Sequence, residues 1–271
     1  MLLKDKVSIV TGSGRGWGRS IARKFAQEGS LVYVVARTRS EIDETVAIIQ
    51  KDGGKAIGCL LDVGDDRAVE AFIKKVEEDS GRIDILVNNA AILPLMFFED
   101  MTMDDVDHVL LINLRATMVT SKLVLDLMRR QGGGSIINVS SNAGVFGFEK
   151  ESIYCASKHA IEGFSKSIAL EYKPFNIAVN TITPGGANMH VRIKPTSLTQ
   201  SEFEKLPAQE KEKWTDSIIS TEAFVFLAMQ RGDGITGERF AAYEFSERIR
   251  KTGWEIKKED LRFEKTVEGM C

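Results

Sequence analysis

Residues 7–18 read VSIVTGSGRGWG, a short apolar run followed by a turn that holds four glycines. The run predicts a β-strand at 7–11, and the residues after the turn predict a helix at 18–28. Glycines between a strand and a helix bring backbone amides and the positive end of the helix dipole close to a pyrophosphate. The turn lacks the GK[ST] ending of a P-loop, which disfavours an ATPase. We therefore predict that a nucleotide cofactor is bound by Gly12, Ser13, Gly14, Arg15, Gly16, Trp17 and Gly18.

Outward from this turn, β-rich apolar runs alternate with longer amphipathic runs. The runs predict strands at 7–11, 31–36, 56–61, 83–88, 135–140, 177–182 and 239–243. They predict helices at 18–28, 40–51, 65–79, 103–130, 154–171 and 221–229. This alternation, with nearly continuous apolar strands, indicates an α/β fold in which a doubly wound parallel sheet is covered by helices on both faces.

The chain has 271 residues, a length that one large domain can account for. We predict this domain at residues 1–246. Residues 188–215 contain two prolines and many charges, and such a long interruption is typical of a lid over a substrate site. Residues 247–271 are predicted to form a charged C-terminal extension.

The amino-acid composition argues against several classes of protein. Hydrophobic residues make up 43% and charged residues 28%, as in folded soluble proteins. A net charge of −3 argues against a nucleic-acid partner. No apolar run approaches the ~18 residues of a membrane span, and the first residues lack the apolar core of a signal peptide. The three cysteines and three histidines form no metal-ligand pattern, so we predict a cytoplasmic protein without a metal.

The end of the second predicted strand bears on the choice of cofactor. In dinucleotide-binding folds an acidic residue there binds the 2′-hydroxyl of the adenosine ribose. This chain has Arg37 and Thr38 instead, and a guanidinium suits a 2′-phosphate through its charge and paired hydrogen bonds. Arg15 in the glycine turn can approach the same group. NADP(H) is therefore favoured over NAD(H), the alternative being that both arginines are solvated surface residues.

Tyr154 and Lys158 are four residues apart and share one face of a predicted helix. A free phenol has a pKa near ~10 and is a poor base at neutral pH. A nearby ammonium favours the phenolate, so we expect Lys158 to lower the pKa of Tyr154. The pair then forms a plausible acid/base device, since proton transfer works best when the pKa lies near the operating pH.

These residues occur with several other motifs, in a fixed order over roughly residues 4–243. The additional motifs are Asp62-Val63, Asn88-Asn89-Ala90, Asn113, Ile137-Asn138-Val139-Ser140-Ser141 and Pro184-Gly185. Together with the glycine turn and Tyr154-Cys155-Ala156-Ser157-Lys158, they resemble the short-chain dehydrogenase/reductase family. The resemblance implies a Rossmann fold and an enzyme that moves a hydride between nicotinamide and a carbonyl or alcohol carbon.

The resemblance also implies roles for individual residues. Tyr154 is similar to the residue that protonates the carbonyl oxygen, and Lys158 to the lysine that binds the nicotinamide ribose and lowers the tyrosine pKa. Ser141, rather than its neighbour Ser140, matches the serine that binds the substrate oxygen. Asn113 matches the asparagine that supports a water-linked proton path to the lysine. In isolation, structural roles are favoured: Ser141 as an N-cap or turn residue, and Asn113 as a residue that bonds backbone in a helix kink.

Further cofactor contacts follow from the same resemblance. Asp62 and Val63 are expected near the adenine, Asn89 and Ala90 along the ribose and pyrophosphate, and Pro184 and Gly185 near the nicotinamide. For each of these residues a purely structural role stays open. Three departures stand out: Ala91 replaces the usual glycine, Met189 replaces the threonine that often follows Pro-Gly, and the usual Asp-Gly-Gly after the last strand is absent.

The loops expected to face the substrate are rich in apolar side chains. The predicted pocket residues are Leu93, Met96, Phe146, Phe148 and Met189, and the alternative for each is packing into the core. We predict a hydrophobic ketone or secondary alcohol as substrate. Alternatives within the family are reduction of a 3-oxoacyl thioester and oxidation of a sugar or polyol. An alternative outside enzymology is a nucleotide-binding regulatory protein on the same fold.

Quaternary structure is predicted by analogy alone. Family members often assemble as homotetramers or homodimers through two long helices, which correspond here to residues 103–130 and 154–171. The expected partners are therefore further copies of this chain and a small-molecule carbonyl or alcohol substrate.

Overall fold

A computed structural model describes residues 1–185 and 217–261, together with residues 205 and 207. Within these residues seven strands pair in parallel, in the order β3-β2-β1-β4-β5-β6-β7. The strands are β1 Val7–Thr11, β2 Leu31–Ala36, β3 Lys55–Leu60, β4 Ile85–Asn88, β5 Gly134–Val139, β6 Ile177–Thr183 and β7 Arg239–Ala241. The strand order reverses between β1 and β4, which confirms the predicted doubly wound Rossmann-type sheet.

Eight α-helices flank the sheet in the described residues. They are α1 Gly16–Gln27, α2 Arg39–Lys51, α3 Asp66–Ser80, α4 Met103–Leu110, α5 Ala116–Arg130, α6 Ser152–Tyr172, α7 Thr221–Ala228 and α8 Ala242–Thr252. Buried residues of α1, α2, α7 and α8 form one core cluster with the sheet, and those of α3, α5 and α6 form a second. Because both faces of the sheet are covered, most positions of its strands are apolar.

The long predicted helix at 103–130 is interrupted. Residues Leu111–Arg115 form one π-helical segment between α4 and α5, which the amphipathic pattern did not indicate. Such segments are rare and occur often at functional sites. Within it, the Asn113 side chain accepts a hydrogen bond from the Ile92 N–H and donates one to the Ile92 carbonyl, both at 2.8 Å. The segment thus holds the loop that follows β4.

Several boundaries differ from the sequence prediction by one or two residues. The first helix begins at Gly16 instead of residue 18, and the sixth at Ser152 instead of 154. Strand β4 begins at Ile85 instead of 83, because the Ile83 N–H is bonded to the Gln131 side chain. The third helix begins at Asp66, since the Asp65 carboxylate caps it by accepting from two backbone N–H groups.

The C-terminal part of the described chain departs most from the prediction. Strand β7 ends at Ala241, not at residue 243, because the buried positions Ala242, Phe245 and Ile249 already follow helical spacing. The resulting helix α8 crosses the boundary predicted between residues 246 and 247. After it, side chains of Trp254 and Leu261 pack against the core. Residues 247–261 therefore continue the packing of the domain.

The stretch Met103–Arg130 is long and apolar enough to cross a membrane by length and composition. Half of its most apolar window is buried inside the protein, and Val124, Leu125 and Met128 pack in the second core cluster. These contacts are typical of a core helix in a soluble fold.

Candidate active site

A cleft of about 630 Å³ opens at the carboxyl ends of the strands, on both sides of the point where the strand order reverses. In open α/β sheets this is the usual position of a ligand site. Sixteen of the residues predicted from the sequence line it. They are Gly12, Gly14, Arg15, Trp17, Gly18, Arg37, Thr38, Asp62, Val63, Asn89, Ala90, Ser141, Tyr154, Lys158, Pro184 and Gly185.

The glycine turn is shaped by close approaches of backbone. Gly12 has φ +66°, and a Cβ there would lie 2.9 Å from the Cα of Ala90. A Cβ on Gly18 would lie 2.3 Å from the Gly12 carbonyl oxygen. Side chains are excluded at both positions, so the backbone itself forms the floor of the cleft.

The start of helix α1 faces this floor without a side-chain cap. Its N-cap residue Arg15 makes no capping hydrogen bond, and the first turn contains no acidic residue. The free N–H groups and the helix dipole are therefore left for an anion. This arrangement fits the pyrophosphate of a dinucleotide, with Gly12, Gly14, Gly18 and the α1 N-terminus holding it.

Two of the predicted cofactor residues do not line the cleft. The Ser13 hydroxyl is fully buried, donates to the Val10 carbonyl at 2.6 Å and accepts from the Val35 N–H at 2.9 Å. Ser13 therefore ties the turn to β2. Gly16 begins α1 with φ +56°, a backbone conformation that favours glycine.

Thr11 and Asn89 join the turn to the loop after β4. The Thr11 hydroxyl accepts hydrogen bonds from the N–H groups of Asn89 and Ala90, at 3.0 and 3.1 Å. The Asn89 amide donates in return to the Thr11 carbonyl at 2.9 Å. The prediction did not single out Thr11 as a site residue, although the strand-end threonine before the glycines is a visible signal.

The end of the cleft beside β2 carries two arginines. The Arg37 side chain is 55% exposed and lies 4.0 Å from the Asp62 carboxylate, and Arg15 lies 3.6 Å from Glu41. Half-exposed pairs at these distances are weak, so both guanidinium groups can turn toward a ligand. Glu41 also lines the cleft and was missed in the sequence, where it reads as an ordinary residue of the first turn of a helix.

Lys158 lies one helical turn after Tyr154 on the face of α6 that lines the cleft. Its side chain is almost fully buried, and Nζ donates to the Val139 carbonyl at 2.8 Å. Burial lowers the pKa of Lys158 to about 8, an effect that the negative charge of Glu162 opposes. Nζ is 5.5 Å from the centre of the Tyr154 ring.

The Tyr154 phenol does not behave as the sequence predicted. Burial raises its pKa above the ordinary value; the hydrogen bond with the Ser141 side chain lowers it, and the charge of Glu151 raises it. The predicted net lowering of this pKa is thus wrong for the protein without cofactor, because burial outweighs the influences that lower it. Tyr154 is consequently a protonated phenol at neutral pH, ready to donate.

Ser141 is the second residue after β5 and brings a hydroxyl to Tyr154. Its side chain also accepts from the Ala143 N–H at 3.2 Å, which starts a 3-10 turn. The neighbouring Ser140 Oγ is buried and has no hydrogen-bond partner in the described structure. Of the two serines, Ser141 is therefore the one in contact with Tyr154.

Asn113 lies behind the cleft and does not line it. Besides its two bonds to Ile92, its amide donates to the Ser157 hydroxyl at 3.3 Å. Ile92 itself lines the cleft, so Asn113 influences the site through that backbone. The predicted water-linked path to Lys158 stays a prediction.

The predicted apolar substrate residues lie on two loops beside the cofactor cleft. Leu93 is 45% and Phe146 50% exposed, while Met96 and Phe148 are partly buried. A hydrogen bond of 3.0 Å from the Met96 N–H to the Lys150 carbonyl joins the two loops. Met189 and all but two residues of the predicted lid 188–215 lie outside the described residues.

The sequence prediction missed a partly buried ion pair near Ser141. Arg239 of β7 binds Glu162 of α6 at 3.1 Å and also donates to the Ser141 carbonyl. The two residues are 77 positions apart, and their contact depends on the pairing of β6 with β7. In the part of the chain that the structure describes, no group of three or more acidic, histidine or cysteine side chains is arranged to hold a metal ion.

Comparison with known proteins agrees with this geometry. A family model for the short chain dehydrogenase matches residues 6–197. An uncharacterised oxidoreductase of Thermotoga maritima is 33% identical over 244 residues, which cover 88% of this chain and 95% of the relative. The chain therefore belongs to the short-chain dehydrogenase family and is an oxidoreductase of the CH–OH/C=O type.

Two further relatives are similar over much of their length. A 7alpha-hydroxysteroid dehydrogenase of Clostridium sardiniense is 37% identical over 186 residues, which cover 68% of this chain and 71% of the relative. The crystal structure of a metagenomic short-chain oxidoreductase in complex with NADP superposes with a TM-score of 0.75 at 26% identity. That alignment covers 88% of this chain and 99% of the other.

Proposed function

We propose that this chain is an NADP(H)-dependent enzyme that interconverts hydrophobic ketones and secondary alcohols. The observation that carries the reaction is the contact between Ser141 and Tyr154 at the mouth of a dinucleotide cleft, with Lys158 buried one turn away. When bound, the nicotinamide supplies the hydride to the carbonyl carbon, or accepts it in the reverse direction.

The roles of the side chains follow from their chemistry. In reduction, the Ser141 hydroxyl binds the carbonyl oxygen, and the Tyr154 phenol donates its proton to that oxygen. A phenol with a raised pKa is fully protonated at neutral pH, so the donor is present before the substrate arrives. The ammonium of Lys158 stabilises the phenolate left behind, because an opposite charge nearby favours the ionised form. In oxidation the same groups move the proton in the opposite direction, and the Tyr154 phenolate acts as the base.

Preference for NADP(H) is supported by the β2 end of the cleft. Arg15 and Arg37 are there, and both are half exposed and only weakly paired. A 2′-phosphate would replace these weak pairs with charge-assisted hydrogen bonds. Glu41 and Asp62 oppose this preference, since their carboxylates lie next to Arg15 and Arg37, but at 3.6 and 4.0 Å both pairs are weak enough to open for a phosphate. The metagenomic relative solved with NADP supports the same cofactor.

An apolar substrate is supported by the two loops that border the catalytic end. Their side chains Leu93, Phe97 and Phe146 are 45–50% exposed, so a substrate could cover apolar surface there. The hydroxysteroid dehydrogenase among the relatives acts on an apolar ring system by its name.

Self-association through α5 and α6 is also proposed. Leu170 of α6 is 78% exposed, and light scattering on Leu170→Glu would test the proposal.

The experiment is a titration with NADPH and NADH, followed by a panel of aliphatic, aromatic and steroid ketones, 3-oxoacyl thioesters and sugars. We expect tighter binding of NADPH and turnover of the apolar ketones, measured by loss of nicotinamide absorbance. Equal or tighter binding of NADH would contradict the cofactor assignment. Turnover of sugars alone would contradict the substrate class. NADPH binding without turnover of any substrate would favour a regulatory protein.

A further inference from the structure

Among the described residues around the cleft, Glu162 and Arg239 form a less exposed ion pair than Arg15 with Glu41 or Arg37 with Asp62. The Glu162 side chain is 9% and the Arg239 side chain 27% exposed, and their Oε1 and Nε atoms are 3.1 Å apart. The second carboxylate oxygen of Glu162 accepts from the Thr181 hydroxyl at 2.7 Å. The pair therefore links α6, β6 and β7 from inside the protein.

The other end of the guanidinium reaches two parts of the active site. Nη2 of Arg239 donates to the Ser141 carbonyl at 3.1 Å and to the Thr183 hydroxyl at 2.7 Å. Ser141 contacts Tyr154, while Thr183 directly precedes Pro184 and lines the cleft itself. One nitrogen atom of Arg239 thus bonds both to the backbone of Ser141 and to the side chain of Thr183. Thr183 stands at the end of β6, which borders the nicotinamide end of the cleft.

Glu162 adds a link to the third catalytic group. It lies one helical turn after Lys158, and its charge favours the ammonium form of that buried lysine. The loop after β5 is packed tightly against the same side chain: a Cβ on Gly144 would lie 3.2 Å from Glu162 Cγ and 2.7 Å from Ser140 Oγ. The pair and the loop that bears Ser141 therefore form one packed unit.

We propose that Arg239, held by Glu162, is a positioning residue that sets Ser141 against the nicotinamide end of the cleft. The inference rests on the proposed function and extends it to residues that do not touch the reacting atoms. An arginine suits this role because its planar fork can bind a carboxylate and a carbonyl at once, which a single ammonium nitrogen does poorly. Glu162 balances the charge, so the site gains a fixed geometry without a net charge.

The test compares four variants of the full chain: Arg239→Met, Arg239→Lys, Glu162→Gln and the control Arg250→Met. Arg250 of α8 is also paired with a glutamate, Glu222, at 2.9 Å, but it does not line the cleft. NADPH fluorescence titration counts the folded sites in each preparation, and kcat is expressed per NADPH-binding site. This normalisation removes any loss that comes from unfolded protein.

We expect Arg239→Met to lower kcat per site at least tenfold while the Kd for NADPH changes less than about threefold. Arg239→Lys keeps the charge pair with Glu162, so it should regain most of the thermal stability but remain about tenfold low in kcat. Glu162→Gln should lower kcat less, and Arg250→Met should equal wild type. If kcat and stability recover together in Arg239→Lys, or if Arg239→Met keeps wild-type kcat per site, the proposal is wrong.

A second measurement does not depend on turnover. Ionisation of the Tyr154 phenol can be followed by NMR. The ring carbon that bears the hydroxyl is labelled with ¹³C, and its signal is assigned with the variant Tyr154→Phe. Because the Ser141 hydrogen bond lowers the pKa of Tyr154, a displaced Ser141 should raise that pKa in Arg239→Lys, where Glu151 and Lys158 are unchanged. If wild type reduces no carbonyl compound, the proposed function fails, and this titration alone decides the inference: an unchanged pKa overturns it.

Discussion

The Nζ atom of Lys158 is bonded to the carbonyl oxygen of Val139 at 2.8 Å, on the last residue of β5. This contact gives the nearly buried ammonium a hydrogen-bond acceptor in the core of the site. The lysine is held in place by strand β5, which is followed directly by the loop that carries Ser141. The catalytic groups are thus arranged around the end of a single strand.

Removal of one hydroxyl tests the role of Tyr154. We expect Tyr154→Phe to lower kcat by roughly 10²- to 10⁴-fold, the usual contribution of a positioned acid or base. Binding of NADPH should change little, because the ring and its packing are retained. Steady-state turnover with fluorescence titration of NADPH measures both. A variant that keeps most of its activity would show that another group donates the proton.

The buried ammonium predicts how stability changes with pH. Folding lowers the pKa of Lys158 from 10.5 to about 8, so between these values the unfolded chain binds more protons than the folded protein. The destabilisation due to the buried charge is present below about pH 8 and is relieved as the pH rises toward 10.5, by roughly 3 kcal/mol in all.

Urea unfolding of wild type and Lys158→Met over this pH range isolates the effect from that of other groups. The difference in unfolding free energy should move in favour of wild type as the pH rises from 8 to 10. A difference that stays constant would show that Lys158 titrates at its ordinary pKa. NADPH-bound samples should be avoided, since ligand binding itself shifts stability.

The 2′-phosphate assignment is tested with two neighbouring arginines. Arg37 lines the cleft, whereas Arg39 is bound to Asp43 within α2 and does not line it. We expect Arg37→Glu to weaken NADPH binding by about 10- to 100-fold, which corresponds to one or two charge-assisted hydrogen bonds, with little loss for NADH. The matched variant Arg39→Glu has the same charge change and should bind NADPH nearly as wild type does.

Glu41 gives the opposite expectation at the same site. Because its carboxylate lies 3.6 Å from Arg15, Glu41→Gln should free that guanidinium and tighten NADPH binding a few-fold. Isothermal titration calorimetry with both cofactors provides the comparison. For the arginine variants described above, equal losses of NADPH affinity in Arg37→Glu and Arg39→Glu would remove the argument for a specific phosphate site.

Gly18 and Gly163 form a pair for testing the cleft floor. A methyl on Gly18 would lie 2.3 Å from the Gly12 carbonyl oxygen, so Gly18→Ala should abolish cofactor binding or folding. Gly163 of α6 has open space at the same position, and Gly163→Ala should be neutral or stabilise the helix by up to about 1 kcal/mol. Thermal unfolding and NADPH titration distinguish the two; normal binding by Gly18→Ala would contradict the described turn.

Local patterns predicted most of the fold and the residues that line the cleft. Strand β1 and the glycine turn are contiguous in sequence, and Tyr154 and Lys158 share a helix face by spacing alone, so both could be inferred without tertiary contacts. The direction of the Tyr154 pKa shift could not, because it depends on how deeply α6 packs. Arg239 and Glu162 carry no local signal either, since only the pairing of β6 with β7 brings them together.

The amphipathic pattern also did not predict the interruption of the helix before α5. Apolar residues continue through 111–115, and the deciding interaction is made by a side chain 21 positions from its backbone partner, Asn113 to Ile92. Likewise, the end of β7 was placed too late because the aromatic residues Phe240 and Tyr243 favour a strand, although Ala241 and Ala242 between them favour a helix. The burial of Phe245 and Ile249 settles the matter in the folded protein.

The π-helical segment Leu111–Arg115 has a geometric consequence for the two helices that it joins. One additional residue in a turn rotates everything that follows by about 100° relative to an uninterrupted α-helix, since an α-helix has 3.6 residues per turn. The face of α5 that carries Val124 and Met128 is therefore offset in angular phase from the face of α4 that carries Val106 and Val109. If the same residues formed an uninterrupted α-helix, α5 would present a different side to the sheet.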